Sequence, residues 1–137
     1  MILSLDSNAL IEVMKRRRPQ VRRAFEAAIA QGVEMWVSVI IAHELRFGAA
    51  FGGRAEEQQL TDRVLASLSI APITEADADA ATTVRLALER TGRRIGAMDL
   101  LIAGQALGRG WTLVTANTHE FSRVPGLQLL DWTTEPI

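Results

Sequence analysis

The sequence predicts an α/β fold, a three-layer sandwich in which a central, mainly parallel β-sheet is flanked by α-helices. Three observations lead to it. Short apolar runs of strand length alternate along the chain with longer stretches of helical periodicity. The stretches between strands are long enough for the crossovers that parallel pairing needs. Asp, Ser or Thr precedes several helical stretches and Gly follows them, as helix caps require.

Each element has its local reason. Ile2–Leu5 is an apolar strand, and Asp6, Ser7 and Asn8 are cap residues before a helix from Ala9 to about Arg17. Pro19 opens a second helix, with Val21, Phe25, Ala28 and Ile29 on one face, and Gly32 ends it. Val33–Val37 reads as the second strand. Ser38 then caps a helix through Ile41, Leu45 and Ala49, broken at Gly52-Gly53. Ala55 to about Leu68 is helical, and Ile70–Ile73 is a short strand. Thr74-Glu75-Ala76-Asp77 resembles a capping box for a helix ending at Arg90, before Gly92. Ala97–Leu107 is helical, Trp111–Thr115 a strand, Asn117–Phe121 a turn or short helix, and Leu127–Leu130 the last strand. No repeat, low-complexity stretch or linker interrupts this order, so one domain over residues 1–137 is expected.

Composition narrows the function classes. With 137 residues, 48% of them hydrophobic and 23% charged, the chain has ordinary globular composition. It has no cysteine, which excludes disulfides and thiolate metal sites. No apolar run reaches the roughly 18 residues that span a bilayer. No basic segment precedes the first apolar run, so that run reads as a strand and not as a signal peptide. A cytoplasmic location without membrane contact is the expectation. Net charge is −1, so the whole molecule is not a cationic nucleic-acid binder. Charge is uneven, however. Lys15, Arg16, Arg17 and Arg18 with Arg22 and Arg23 form one basic cluster, and Arg93-Arg94 form another before Asp99. Such patches attract phosphate, although a solvated helix end explains them equally well.

In open α/β sheets, ligands bind at the carboxyl ends of the strands. Asp6 follows the first strand there. Glu44 lies less than two helical turns after Ser38, and Asn117 and Glu120 follow the Trp111–Thr115 strand. Asp99 opens the helix that leads into that strand. These acids and one amide suit a hard divalent cation, because Mg²⁺ takes oxygen ligands and retains several waters. A clustered set of carboxylates repels itself unless a cation or a proton intervenes. A cation there favours hydrolysis of a phosphodiester by water, without a protein nucleophile. Each residue taken alone has a plainer use: Asp6 as a helix cap, Glu44 and Glu120 as surface charges, Asp99 as a partner of the helix dipole, Asn117 in a turn. His43 and His119 read as non-catalytic, and no Gly-x-Ser-x-Gly elbow supports a serine nucleophile. Arg46 is expected in a salt bridge, and Trp36 and Trp111 in packing.

The local motifs carry a resemblance. Leu5-Asp6-Ser7-Asn8-Ala9-Leu10-Ile11 resembles the opening signature of PIN-domain ribonucleases, nearest to VapC-type toxins of bacterial toxin–antitoxin pairs. His43-Glu44-Leu45-Arg46-Phe47-Gly48 resembles their second acidic motif, and Ala97-Met98-Asp99-Leu100-Leu101-Ile102-Ala103 their third. Leu113 through Phe121, followed by Val124-Pro125-Gly126-Leu127, resembles the fourth motif and tail. The resemblance spans nearly the whole chain in order. It implies a PIN-like sandwich and a Mg²⁺- or Mn²⁺-dependent endoribonuclease. Asp6, Glu44 and Asp99 would be the metal-linked acids, with Asn117 and Glu120 completing the catalytic set. Asn117 stands where many members carry an acid, and Glu120 is placed to compensate. The resemblance also implies an RNA substrate such as a tRNA or other single-stranded loop, a VapB-like antitoxin, a homodimer, and operator DNA bound only through the antitoxin.

Two other classes compete. A receiver-like signalling domain also holds Mg²⁺ in an acidic pocket, but needs a lysine late in the chain, and Lys15 is the single lysine. A catalytically weak PIN-like binding module is the other alternative, opposed by the intact Asp6, Glu44 and Asp99.

Overall fold

The computed structural model describes residues 1–134, so the end of the domain expected over 1–137 lies outside the described residues. Five strands form one sheet: β1 (Ile2–Leu5), β2 (Glu34–Ser38), β3 (Ser69–Ala71), β4 (Thr112–Val114) and β5 (Gln128–Leu130). Their spatial order is β3-β2-β1-β4-β5, and every pairing is parallel. The helices are α1 (Ser7–Lys15), α2 (Pro19–Ala30), α3 (Val39–Gly52), α4 (Ala55–Ala66), α5 (Glu75–Arg90), α6 (Ala97–Gly108) and α7 (Thr118–Phe121). This is the expected α/β sandwich.

The order of the strands positions the site. From β1 the chain steps through β2 to β3 in one direction. It then crosses β1 to reach β4 and β5 on the other side. Right-handed crossovers put α1–α4 over one face of the sheet and α5–α6 over the other. The packing agrees, since α1 lies against α2, α3 and α4, while α5 lies against α6. The direction of travel reverses between β1 and β4, so a crevice opens at the carboxyl ends of these two strands. Both faces of the sheet are covered. Leu5, Val37, Leu113 and Val114 are therefore fully buried, which explains strands that read as near-continuous apolar runs.

Boundaries move by one or two residues from the sequence expectation, for local reasons. α1 starts at Ser7 and not Ala9, because the Asp6 carboxylate already accepts the Ser7 N–H at 2.9 Å. β2 starts at Glu34, because the Val33 N–H turns back to the Ala28 carbonyl at 3.0 Å. α4 stops at Ala66, where Leu68 bonds back to Leu65 and the chain enters β3 beside Trp36.

α5 and α6 approach unusually closely. A Cβ built on Gly104 would lie 2.6 Å from the Ala81 backbone nitrogen, and one on Gly108 would lie 3.3 Å from Ala80 Cβ. Small residues at these crossing points let the two backbones meet. At the α5 start, Asp77 completes the capping box with Thr74 and also takes Arg109 in a bidentate pair, at 3.0 and 2.8 Å. The Arg109 guanidinium stacks 4.9 Å over Trp111, which in turn stacks on Trp36 at 5.4 Å. Both tryptophans are thus spent on packing, as expected.

Candidate active site

Asp6 leaves β1 directly at the switch point and is 5% exposed. Its two carboxylate oxygens are held unequally. Oδ1 accepts the Ser7 N–H at 2.9 Å. Oδ2 accepts the Asn8 side-chain amide at 3.0 Å and the Thr115 hydroxyl at 2.8 Å. Each carboxylate oxygen can accept two hydrogen bonds, so Oδ1, which accepts one, keeps one free acceptor position. Burial pushes the Asp6 carboxyl above its ordinary range, opposed by the hydrogen bonds from Thr115, Ser7 and Asn8.

Thr115 and Asn8 are the residues that sequence reasoning missed. The Thr115 hydroxyl, fully buried at the end of β4, also accepts from Asn8 at 3.2 Å and from the Asn117 N–H at 3.0 Å. The Asn8 carbonyl oxygen accepts the Ala116 N–H at 2.9 Å. Asn8 and Thr115 together join the β1 and β4 loops and fix the Asp6 rotamer. Asn8 was visible only as a cap residue and Thr115 only as a strand end. Their pairing depends on β1–β4 register, in which Leu5 lies beside Val114.

Asn117 and Glu120 face each other across the short α7. The Asn117 amide donates to Glu120 Oε2 at 3.0 Å, and the Gly96 N–H reaches Oε1 at 3.4 Å. These contacts, with the Asn117 bond foremost, hold the Glu120 carboxyl below its ordinary range. Asp99 lies in the first turn of α6, after the Gly96 cap. Its carboxyl is pushed up to about 6, first by burial and then by the negative charges of Glu120 and Asp6, with Glu44 contributing least. Asp99 therefore takes up the charge of three acids far from it in sequence, Glu120, Asp6 and Glu44.

Glu44 is the outlying member. It is exposed on α3 and lines a groove with Ile11, Met14, Leu45, Ala49 and Leu60. His43 and His119 stay out of the cluster: His43 stacks on Phe47 at 6.5 Å, and His119 is exposed. Arg46 departs from expectation. It is exposed and, among the described residues, forms no ion pair, because no acid of a neighbouring helix comes within reach of its face of α3. In the early basic cluster, Arg17 pairs with Glu12 at 3.0 Å and Arg22 with Glu26 at 3.3 Å, while Arg16, Arg18 and Arg23 remain exposed.

The donors suit a hard divalent cation. The cluster offers carboxylate and amide oxygen only, with no histidine or thiolate. Among the described residues no three acidic or histidine side chains converge into a ready-made coordination cage. Mg²⁺ needs only one or two protein carboxylates and keeps its remaining waters. Asp6 Oδ1 and the Asp99 carboxylate are the oxygens best placed to hold it.

The chain is similar to known proteins in sequence and fold. The PIN domain family matches residues 3–127. The tRNA(fMet)-specific endonuclease VapC of Shigella flexneri is 38% identical over 136 residues, covering 94% of this chain and 96% of the relative. VapBC2 from Rickettsia felis, solved bound to a DNA fragment of its promoter, contains a similar chain with TM-score 0.87 and 30% identity, covering 96% and 99% of the two chains. DNA-bound VapBC from Salmonella typhimurium gives TM-score 0.80 and 29% identity, covering 96% and 98%.

Proposed function

Because this chain belongs to the PIN domain family, we propose that it is a Mg²⁺- or Mn²⁺-dependent endoribonuclease and the toxin of a toxin–antitoxin pair. The observation that carries this reading is the shared acidic surroundings at the β1/β4 switch point, where Asp99 takes up the negative charge of Glu120 and Asp6 and the Asn117 amide holds Glu120. When bound, the cation supplies a water nucleophile at neutral pH and offsets charge developing on the phosphodiester. The chain's own residues do the positioning. Asn8, Ser7 and Thr115 hold Asp6 in one rotamer with one oxygen position open. The Asn117 amide and the Gly96 N–H hold Glu120 ionised and oriented toward Asp99. A Glu120 carboxylate held below its ordinary range keeps a fixed negative charge beside Asp99, and the test of that role is cleavage by Glu120→Gln. Glu44, on the open side of the cluster, is assigned to the metal-linked set with Asp6 and Asp99.

The substrate is RNA, and within RNA a single-stranded loop, because A-form grooves hide base edges. A tRNA is the first candidate, since the Shigella flexneri relative is named for tRNA(fMet). Cleavage of fully duplex RNA as readily as loops would count against this. The partner is a VapB-like antitoxin, with operator DNA engaged only through it; similar chains occur in VapBC2 of Rickettsia felis bound to promoter DNA and in DNA-bound VapBC of Salmonella typhimurium. The groove between α1, α3 and α4, about 450 Å³ and apolar apart from Lys15, Glu44, Glu57 and Thr61, is offered to it. A homodimer and a cytoplasmic location complete the reading. It is compatible with the absence, among the described residues, of any helix long and apolar enough to cross a membrane.

The test is incubation of antitoxin-free protein with total cellular RNA and Mg²⁺ or Mn²⁺, beside reactions containing EDTA. Discrete fragments formed only with metal are expected. No fragments with any metal, or fragments undiminished by EDTA, would overturn the proposal.

A further inference from the structure

Resting on the ribonuclease reading above, we propose that Arg123 is a positioning residue, which fastens the loop before α6 to the segment after β4 and so sets where Asp99 stands. The start of α6 has no side-chain cap of its own, because Gly96 occupies the cap position. Asp99 rides in the first turn of this helix. The 91–96 loop that delivers it turns at Gly92, in the left-handed conformation at φ +66, and is anchored at Ile95 in the core, while Arg94 and Gly96 present their backbone to the segment after β4. Two contacts reach it from the same short segment. Arg123 Nη1 donates to the Arg94 carbonyl at 2.8 Å. Glu120 Oε1 accepts the Gly96 N–H at 3.4 Å. The side chain of Arg94 turns away to pair with Glu89 at 3.1 Å, so Arg94 offers the site only its backbone. The backbone N–H of Arg123 bonds to the Glu120 carbonyl at 3.2 Å, which makes Arg123 and Glu120 one rigid turn. The Arg123 bond is the shorter of the two tethers, and it forms at the exposed surface of the loop.

The geometry distinguishes this role from phosphate binding. A residue that aligns Asp99 changes the chemical step, whereas one that contacts RNA phosphate changes binding and its salt dependence. It also separates Arg123 from Arg94, whose acceptor is a backbone carbonyl that survives any side-chain substitution.

The experiment compares wild type, Arg123→Gln, Arg123→Lys and Arg94→Ala. Amide hydrogen exchange across residues 93–99 is read first, without RNA. Cleavage kinetics on a tRNA(fMet) transcript are read second, at several salt concentrations. Exchange in Arg123→Gln is expected to quicken about tenfold, in Arg123→Lys less, and in Arg94→Ala not at all. In Arg123→Gln, kcat is expected to fall about tenfold, with KM within about twofold and an unchanged salt slope. Unchanged exchange in both Arg123 variants overturns the proposal. So does a rise in KM with a flatter salt slope and unchanged kcat, which would make Arg123 a phosphate contact. If wild type cuts neither this transcript nor total cellular RNA, the ribonuclease reading fails, while the exchange data still decide the tether.

Discussion

Replacing Asp99 by Asn should make the metal-free protein more stable, and the gain should depend on pH. Asp99 ionises at about 6 in the folded chain against an ordinary 3.8, because it is partly buried and shares its surroundings with Glu120, Asp6 and Glu44. A carboxyl raised on folding contributes stability in its protonated form. That contribution is complete below about pH 3.8 and is lost as pH rises through about 6. The full displacement corresponds to about 3 kcal/mol at ~1.4 kcal/mol per pH unit, and partial solvation of the side chain reduces it to about 2 kcal/mol. Asn keeps the shape without the charge. In EDTA at pH 7.5, Asp99→Asn should therefore exceed wild type by about 2 kcal/mol, and at about pH 3 the two should coincide. Urea unfolding at both pH values measures this through the midpoint at constant m-value. A variant less stable than wild type at pH 7.5, or a difference independent of pH, would refute the repulsive-cluster account. A residue kept at such a cost is of the kind expected at functional sites, where stability and activity oppose each other.

Other consequences can be checked on the same protein. Arg109 holds the Asp77 carboxyl down at about 2, so their pair contributes stability above about pH 4 that is lost as pH falls through about 2. This amounts to about 2 kcal/mol, and acid titration of wild type against Asp77→Asn should show the acid-limb loss in wild type alone. Gly104→Ala should lower stability by about 1–2 kcal/mol in thermal melting, because a Cβ set 2.6 Å from the Ala81 backbone outweighs the gain in helix propensity. A neutral or stabilising result would contradict the close α5–α6 approach. Thr115→Val should cost about 2 kcal/mol by removing a hydroxyl that donates to the Asp6 carboxylate and accepts from Asn8 and the Asn117 N–H. It should also slow cleavage, and a double-mutant cycle with Asp6→Asn should show strong coupling.

The order and type of the elements could be read from caps, glycines and periodicity, because these are local signals. Thr74 with Asp77 and Ser38 before Ile40 cap helices as the chain pattern indicated. Asp6, Asp99, Asn117 and Glu120 were legible because strand ends in an α/β order are where ligands gather. What local pattern could not show is long-range pairing. Thr115 reaches Asp6 and Asn8 across more than a hundred residues of chain, through a register that no local pattern specifies. Asp77 looked complete as a capping residue, and only the antiparallel packing of α5 on α6 brings Arg109 to it. Gly104 looked like an ordinary cost within a helix, and its purpose appears only beside Ala81. The single lysine and the net charge of −1 were equally uninformative about the tether from Arg123 to the Arg94 carbonyl, which uses a side chain on one partner and backbone on the other.

The most direct test of the central claim is the rate of tRNA(fMet) cleavage as a function of Mg²⁺ for wild type, Asp6→Asn and Asp99→Asn. Wild type should cut with a rate that rises and saturates with Mg²⁺. Both variants should fall at least a hundredfold, about 3 kcal/mol of transition-state stabilisation, although Asp99→Asn is the more stable protein. Cleavage by Asp99→Asn at the wild-type rate, or wild-type cleavage indifferent to Mg²⁺, would contradict an acidic centre at the β1/β4 switch point.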